Sequence, residues 1–252
     1  MSLQACAQIV ERADSDRFMS VMAAPATCRR ALFALYAFNI EVTRAPWVTQ
    51  EALIAEMRLQ WWRDALEEMA QGAKVRAHEV TTELAAFLTP ETAAMLDQLI
   101  EARRQDIPRE PFADWDQFHR YLRDTSGLLM GVAARAIGTQ GSLQDVIDYG
   151  GAAGLANWLR GYAQLKSQGG SGLPDDSPAA LAEQARTALR KMRGLRGQMP
   201  RSAYPAVRAS WSAARTLRSA ADNPNAILDG ALHNPEFVRR GGLMWRVFTN
   251  TI

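Results

Sequence analysis

Apolar residues recur along most of this chain at intervals of three and four, the spacing that lays one face of an α-helix against a core. Alternating runs of β-branched residues, which would mark strands, are nearly missing, so the pattern predicts an all-α protein of about nine or ten helices. Residues 3–13 form the first helix, broken at Asp14 to Asp16, and Phe18, Met19 and Ser20 then read as a connector before Pro25. A second helix covers 26–43, with Leu32, Leu35, Asn39 and Val42 on one face and Arg29 and Arg30 near its start. Pro46 has no amide donor and restricts the residue before it, so the helix must end or kink there.

Residues 51–71 form a long helix in which Leu53, Met57, Trp61 and Ala65 stand at core spacing. After a turn over 72–78, two further helices over 79–88 and 91–105 are parted by Thr89 and Pro90, an N-cap followed by an N1 proline. Residues 106–112 read as a proline-bracketed loop, and Asp114 caps a helix running through Tyr121 to about Ile137.

The run 148–174, DYGGAAGLANWLRGYAQLKSQGGSGLP, is built differently. Each glycine inside an isolated helix costs about 1 kcal/mol relative to alanine, so close tertiary contact must hold this one. The second half of the 118–138 helix, TSGLLMGVAARAIG, is equally rich in small residues and is its natural neighbour. Such small side chains fit either a cavity for an apolar ligand or direct backbone contact. Asn157 stands between Leu155 and Leu159 as a core amide, beside Arg160. Residues 168–178 are flexible by composition, with Asp175 and Asp176 as caps for the next helix. Two basic amphipathic helices split near Pro200 then carry nine basic residues and no acidic one between 186 and 218. The terminal stretch PEFVRRGGLMWRVFTNTI is apolar and basic, suited to folding back on the core or to meeting a membrane or partner. The proline-bracketed segment 106–112 is a loop and not a domain boundary, so a single domain over 1–252 is expected.

Charge is close to balanced, 29 Lys and Arg against 27 Asp and Glu, and gives no case for nucleic acid. It is uneven, however: residues 180–252 hold twelve basic and four acidic residues, which fits an anionic lipid surface or phosphorylated ligand as well as a solvated face. Cys6 and Cys28 form no disulfide or metal pattern, which suits a reducing compartment. No run approaches the roughly 18 apolar residues of a membrane span. A soluble, cytoplasmic protein is expected, in peripheral contact with the inner membrane if the basic third meets lipid.

Three blocks carry a family resemblance. DRFMSVMAAPATCRRALFALYAFNIEV (16–42), FHRYLRDTSGLLMGVAARAIG (118–138) and YGGAAGLANWLRGYAQLKSQGGSGLP (149–174) resemble, in order, signatures of the squalene/phytoene synthase family. The resemblance implies an isoprenoid-synthase-like helical bundle around a central cavity, and a Mg²⁺-dependent head-to-head joining of two isoprenyl diphosphates. It also implies that Ser20, Arg29, Arg30, Asn39, Tyr121, Asn157 and Arg160 are what remains of a diphosphate and cavity site, with Glu41 the only carboxylate near the first motif.

Two aspartates four apart on a helix point both carboxylates at one metal. The resembled enzymes carry such acids on two helices, where this chain has Thr43 and Trp47 on one and Gly161 and Leu165 on the other. Arg44 adds a positive charge beside the first of these positions, and of the family's flap only Leu173 and Pro174 are kept. No metal ligands and no cofactor are therefore expected, Mg²⁺ entering only if the transferase chemistry survives. Asp64 with Glu68 and Asp97 with Glu101 share the spacing, but Arg63, Arg103 and Arg104 beside them mark solvated faces, and His78 reads as a loop residue.

The ALYAFNIE run and the MRLQWWRDAL helix look most like the family branch that includes an assembly factor of respiratory complex I. That implies a non-catalytic binding or assembly protein, with a hydrophobic or isoprenoid ligand or a respiratory-complex subunit as partner. The alternatives are the prenyltransferase itself, or a helical interaction module whose core is closed between Asn39, Tyr121 and Asn157.

Overall fold

Helix α3 (Ala26–Arg44) is buried on every side from Ala31 to Ile40, and the other helices are arranged around it. The computed structural model describes residues 2–170, 172–232 and 236–252, with 236–240 described by their backbone alone. Before α3 lie α1 (Ser2–Ala13) and α2 (Ser15–Met22), and after it α4 (Ala52–Ala70), α5 (Glu79–Leu84) and α6 (Pro90–Arg103). Helix α7 (Trp115–Leu122) passes through a π-helical turn (Arg123–Gly127) into α8 (Leu128–Ala136), followed by the long α9 (Gln144–Ser167). The chain continues through α10 (Pro178–Arg196), the one-turn α11 (Tyr204–Val207), α12 (Ala213–Asp222), the one-turn α13 (Asn225–Leu228) and α14 (Glu236–Phe248). Among the described residues all regular structure is helical. Ser171, in the glycine-rich segment, and Pro235, at the head of the terminal stretch, lie outside the described residues.

Helix α3 packs against α1, α2, α5 and α8, and α9 against α8, α10, α12 and the π turn, so α8 links the two hubs. A helix apolar on all sides belongs at the centre, which is why α3 shows no single face. The expected breaks hold at Pro46, beyond the end of α3, and at Thr89–Pro90, where Thr89 and Thr92 cap each other's backbone amides.

Two expectations are corrected. Residues 18–20 are helical, because Asp14 accepts the Arg17 amide at 2.9 Å and starts α2 immediately. The core face of α4 is Ala55, Leu59, Trp62, Ala65 and Leu66, rotated from the expected stripe, of which Ala65 is kept while Leu53 and Met57 are left 72% and 64% exposed. Trp62 sets this rotation by meeting Phe38 of α3 edge-on at 5.3 Å. The helix from Asp114 does run on to Ala136 as expected, with a π turn at Arg123–Gly127 within it.

The small residues of α8 and α9 are used for contact. A Cβ on Gly127 would stand 2.5 Å from the Ile147 carbonyl oxygen, and one on Gly154 2.6 Å from Ser126. One on Gly150 would meet Met130 at 2.9 Å, so no space is left between these backbones for a ligand.

At the other end of the chain, buried Arg208 donates to the Thr251 carbonyl at 3.0 Å and to Asn250 Oδ1 at 2.7 Å. Leu243 and Ile252 are buried while Met244, Trp245 and Phe248 are exposed, so the terminal stretch folds back along one face only. Among the described residues no helix is long and apolar enough to cross a membrane.

Candidate functional site

Asp16 and Ser20 stand one turn apart on α2, so one face of this short helix carries both. Asp16 is buried and accepts from Arg160 Nη1 of α9 at 2.9 Å, while Arg160 Nη2 donates to Asn157 Oδ1 at 3.0 Å. Asn157 is exposed, not the core amide expected, because its position on α9 faces outward between buried Leu155 and Leu159. Ser20 is buried, and its hydroxyl donates to the Arg17 carbonyl at 2.8 Å. Arg17 lies over the ring of Tyr36 at 5.2 Å, and burial pushes the Tyr36 phenol up to about 12 although Arg17 opposes it.

The structure thus joins Arg160 and Asn157 of α9 to Asp16 of α2 in one junction, with Ser20 one turn from Asp16 and bonded back to its own helix. It does not bring the two arginines of α3 there. Arg29 donates to the Ala24 and Met22 carbonyls at 3.1 and 2.8 Å, closing the end of α2, and Arg30 pairs with Glu83 of α5 at 2.7 Å. Asn39 is buried in the middle of α3, and Glu41 lies 3.7 Å from Arg44.

Thr43, Trp47, Gly161 and Leu165, the residues expected from the resemblance to stand in place of metal-binding acids, have a distinct geometry. Thr43, one turn beyond Asn39, has its hydroxyl buried without a hydrogen-bond partner among the described residues. Trp47 and Leu165, from separate elements, converge on Gly170, where a Cβ would meet them at 2.8 and 2.5 Å. Arg109 covers the outer side of Trp47 at 4.9 Å from the ring centre. Gly161 is exposed, with nothing within 4 Å of where its Cβ would be. The donors here are an indole, an isobutyl group and a lone hydroxyl. Among the described residues no group of three or more His, Cys, Asp or Glu side chains could hold a metal ion. The two other carboxylate pairs are engaged by arginine, Glu68 by Arg76 at 2.8 Å and Asp97 by Arg63 at 2.6 Å.

Two loops close over this end of α9. The Phe112 amide donates to the Gly172 carbonyl at 3.1 Å, and Gly170 N–H returns to the Leu165 carbonyl at 2.9 Å. Asp176 is not a helix cap, as Ser177 takes that place; its carboxylate accepts from Lys166 at 2.5 Å and from the Tyr162 hydroxyl at 3.0 Å. The Lys166 ammonium, then the Tyr162 hydroxyl, hold the Asp176 carboxyl below its ordinary 3.8. A depressed folded-state value means the contact is present above the unfolded carboxylate range and is lost as pH falls through the folded value. Asp176→Asn at neutral pH is therefore expected to raise amide hydrogen exchange in residues 168–177 by about an order of magnitude without changing exchange in α3, as read by mass spectrometry.

Tyr121, expected to line the cavity, instead closes a buried charge triad. Its hydroxyl donates to Asp106 at 2.9 Å and accepts from Arg103 Nη1 at 2.6 Å, and Arg103 also reaches Asp106 at 3.2 Å. Arg103 was expected at the surface, but its side chain is only 14% exposed because α6 turns it inward toward Asp106 three residues later. That i, i+3 spacing was the available signal for a pair the charge pattern hid.

The clefts lie away from the junction. One of about 370 Å³ runs between α7, α9 and α10 past His119, Arg123, Asp148 and Lys191. Another of about 120 Å³ lies among α9, α10, α12 and α14. Neither is lined by Ser20, Asn39, Asn157 or Arg160.

Comparison with known proteins bears on these features. The model of the squalene/phytoene synthase family matches residues 10–180. The chain is 25% identical over 176 residues to NADH dehydrogenase (ubiquinone) complex I, assembly factor 6 of Mus musculus, covering 68% of this chain and 52% of that protein. It is 29% identical over 164 residues to the Drosophila melanogaster homolog of that factor, covering 62% and 49%. The chain thus spans about half the length of these curated relatives. Among solved structures, a dehydrosqualene synthase in complex with ligand superposes with a TM-score of 0.74 at 14% identity, over 98% of this chain and 95% of that one. That similarity concerns the fold alone.

Proposed function

Since the chain belongs to the squalene/phytoene synthase family, we propose that it is a non-catalytic member, a binding or assembly protein of the respiratory complex I type. The observation that carries this reading is the apolar closure at the end of α9, where Trp47 and Leu165 meet at Gly170. These are positions at which the resembled enzymes carry acids. Mg²⁺ takes hard oxygen ligands in near-octahedral array, and neither an indole nor an isobutyl group supplies one. Glu41, the carboxylate closest in sequence, already has Arg44 beside it. The donor set does not fit Mg²⁺, and metal-assisted ionisation of a diphosphate is not part of this proposal.

The similarity to complex I assembly factors over more than half of the chain supports the assembly role. Leu53 and Met57, exposed one turn apart on α4, suit contact with a partner subunit. A hydrophobic or isoprenoid ligand held without metal is a second partner under this reading, and the basic C-terminal third would face acidic lipid at the inner membrane.

Calorimetric titration with a non-hydrolysable farnesyl diphosphate analogue is expected to show no gain in affinity on adding Mg²⁺, in the wild type and in Glu41→Ala alike. Tight binding that requires Mg²⁺ would return the chain to the transferases. Disrupting its gene should lower the amount of assembled complex I, and an unchanged complex would remove the assembly role.

A further inference from the structure

The smaller cleft, at the opposite end of α9 from Arg160, gathers guanidinium groups from three helices: Arg193 and Arg196 of α10, Arg218 of α12 and Arg246 of α14. Tyr149 and Arg160 are eleven residues apart on α9, roughly 16 Å along the helix, so the cleft is separate from the α2–α9 junction. Among the described residues none of these arginines has a carboxylate partner. Arg246 spends one donor on the Gly242 carbonyl at 3.2 Å and is half-buried. Burial, and then the charge of Arg196, lower its pKa.

Exposed arginines alone would be a solvated face. Trp211 distinguishes this cluster. It lines the same cleft, is only 6% exposed, and its indole N–H is buried with no acceptor among the described residues. A buried donor without an acceptor is costly, and here it stands among cations that also lack anions. Guanidinium groups match the oxygens of phosphate in both geometry and charge. A volume of about 120 Å³ has room for such a group.

We propose that this cleft is a binding site for a phosphate-class oxyanion, either a free phosphate or diphosphate or the headgroup phosphate of an acidic lipid. Trp211 donates its indole N–H to the anion, and Arg193, Arg196, Arg218 and Arg246 neutralise it. The site uses neither metal nor the α2–α9 junction, so it stands or falls independently of the assembly role.

The test uses the full chain with labelled tryptophan indoles, the Trp211 signal being assigned by its loss in Trp211→Phe. Metal-free titration with inorganic phosphate and with diphosphate, at constant ionic strength, is expected to shift that signal saturably. The Arg193→Gln/Arg196→Gln variant should weaken the response by about a hundredfold, one decade for each of the two charge-assisted contacts removed. Both arginines are exposed, and unchanged signals from the other indoles check that the fold is kept. Vesicles of phosphatidylcholine, with or without phosphatidylglycerol, separate the two sources. Retention by the acidic vesicles alone, lost in the variant, assigns the lipid headgroup, whereas a shift with free phosphates and no vesicle retention assigns a soluble anion. A Trp211 signal unmoved by phosphate, diphosphate and acidic vesicles, or moved equally in the variant, overturns the proposal.

Discussion

Replacing Asp106 by alanine is expected to cost the fold about 3–5 kcal/mol, the loss typical of stranding a buried charge. Domains are held by only about 5–15 kcal/mol, so urea unfolding should show a large drop in midpoint with little change in slope. The reason lies in Arg103, which is buried with its Nε already unpaired and depends on Asp106 and the Tyr121 hydroxyl for its other contacts. Burial pushes the Asp106 carboxyl above its ordinary value, and Arg103 and Tyr121 pull it back, so neither charge is comfortable alone. Tyr121→Phe removes one hydrogen-bonding group from the triad and should cost only about 1–3 kcal/mol. Arg103→Met, Asp106→Leu and Tyr121→Phe together should recover most of the loss, since apolar replacement of a complete buried ion pair is often neutral. An Asp106→Ala protein within about 1 kcal/mol of the wild type would mean that the triad is solvated.

A second large effect is expected at Gly127. Alanine for glycine inside a helix normally gains about 1 kcal/mol, but a side chain here points at the Ile147 carbonyl oxygen, part of the α9 backbone. Backbone cannot step aside as the end of a flexible side chain can, so Gly127→Val should destabilise by about 3 kcal/mol, at the upper end for overpacking. Gly161, in the same helix as Ile147 but with open space around it, provides the control. Gly161→Ala should be stabilising by up to about 1 kcal/mol, and opposite signs for the two substitutions in urea unfolding would establish that contact, not helix propensity, decides. Equal signs would remove the close-packing account of these glycines.

What the sequence made legible follows the range of the interactions. The extent of α3 could be read because Pro25 and Pro46 bound it, and the close partnership of α8 with α9 because both are rich in glycine and alanine. The rotation of α4 could not. Leu53, Met57 and Trp61 compete with Leu59, Trp62 and Leu66 as stripes nearly equal in pattern, and the choice is made by Phe38 on another helix. The helicity around Ser20 was hidden for a similar reason, as Asp16, read as part of a break, finds its partner Arg160 144 residues away. At the candidate site, Asn157 and Arg160 were legible as neighbours, but the flanking Leu155 and Leu159 made an exposed amide look like a core one. The assignments of Arg29 to the end of α2 and Arg30 to α5 were not, because nothing in either residue's surroundings in sequence separates a diphosphate contact from a backbone cap.

The π turn between α7 and α8 carries one more consequence. A turn of this kind holds one residue more than an α turn, and each residue of an α-helix advances the side-chain direction by about 100°. The chain from Trp115 to Ala136 therefore keeps nearly one axis but changes angular phase at Arg123–Gly127. A helical wheel drawn unbroken through it misassigns every position after Gly127 by that angle. The same offset allows one continuous rod to point Tyr121 at Asp106 and, beyond the phase change, to lay Gly131 on Ile147.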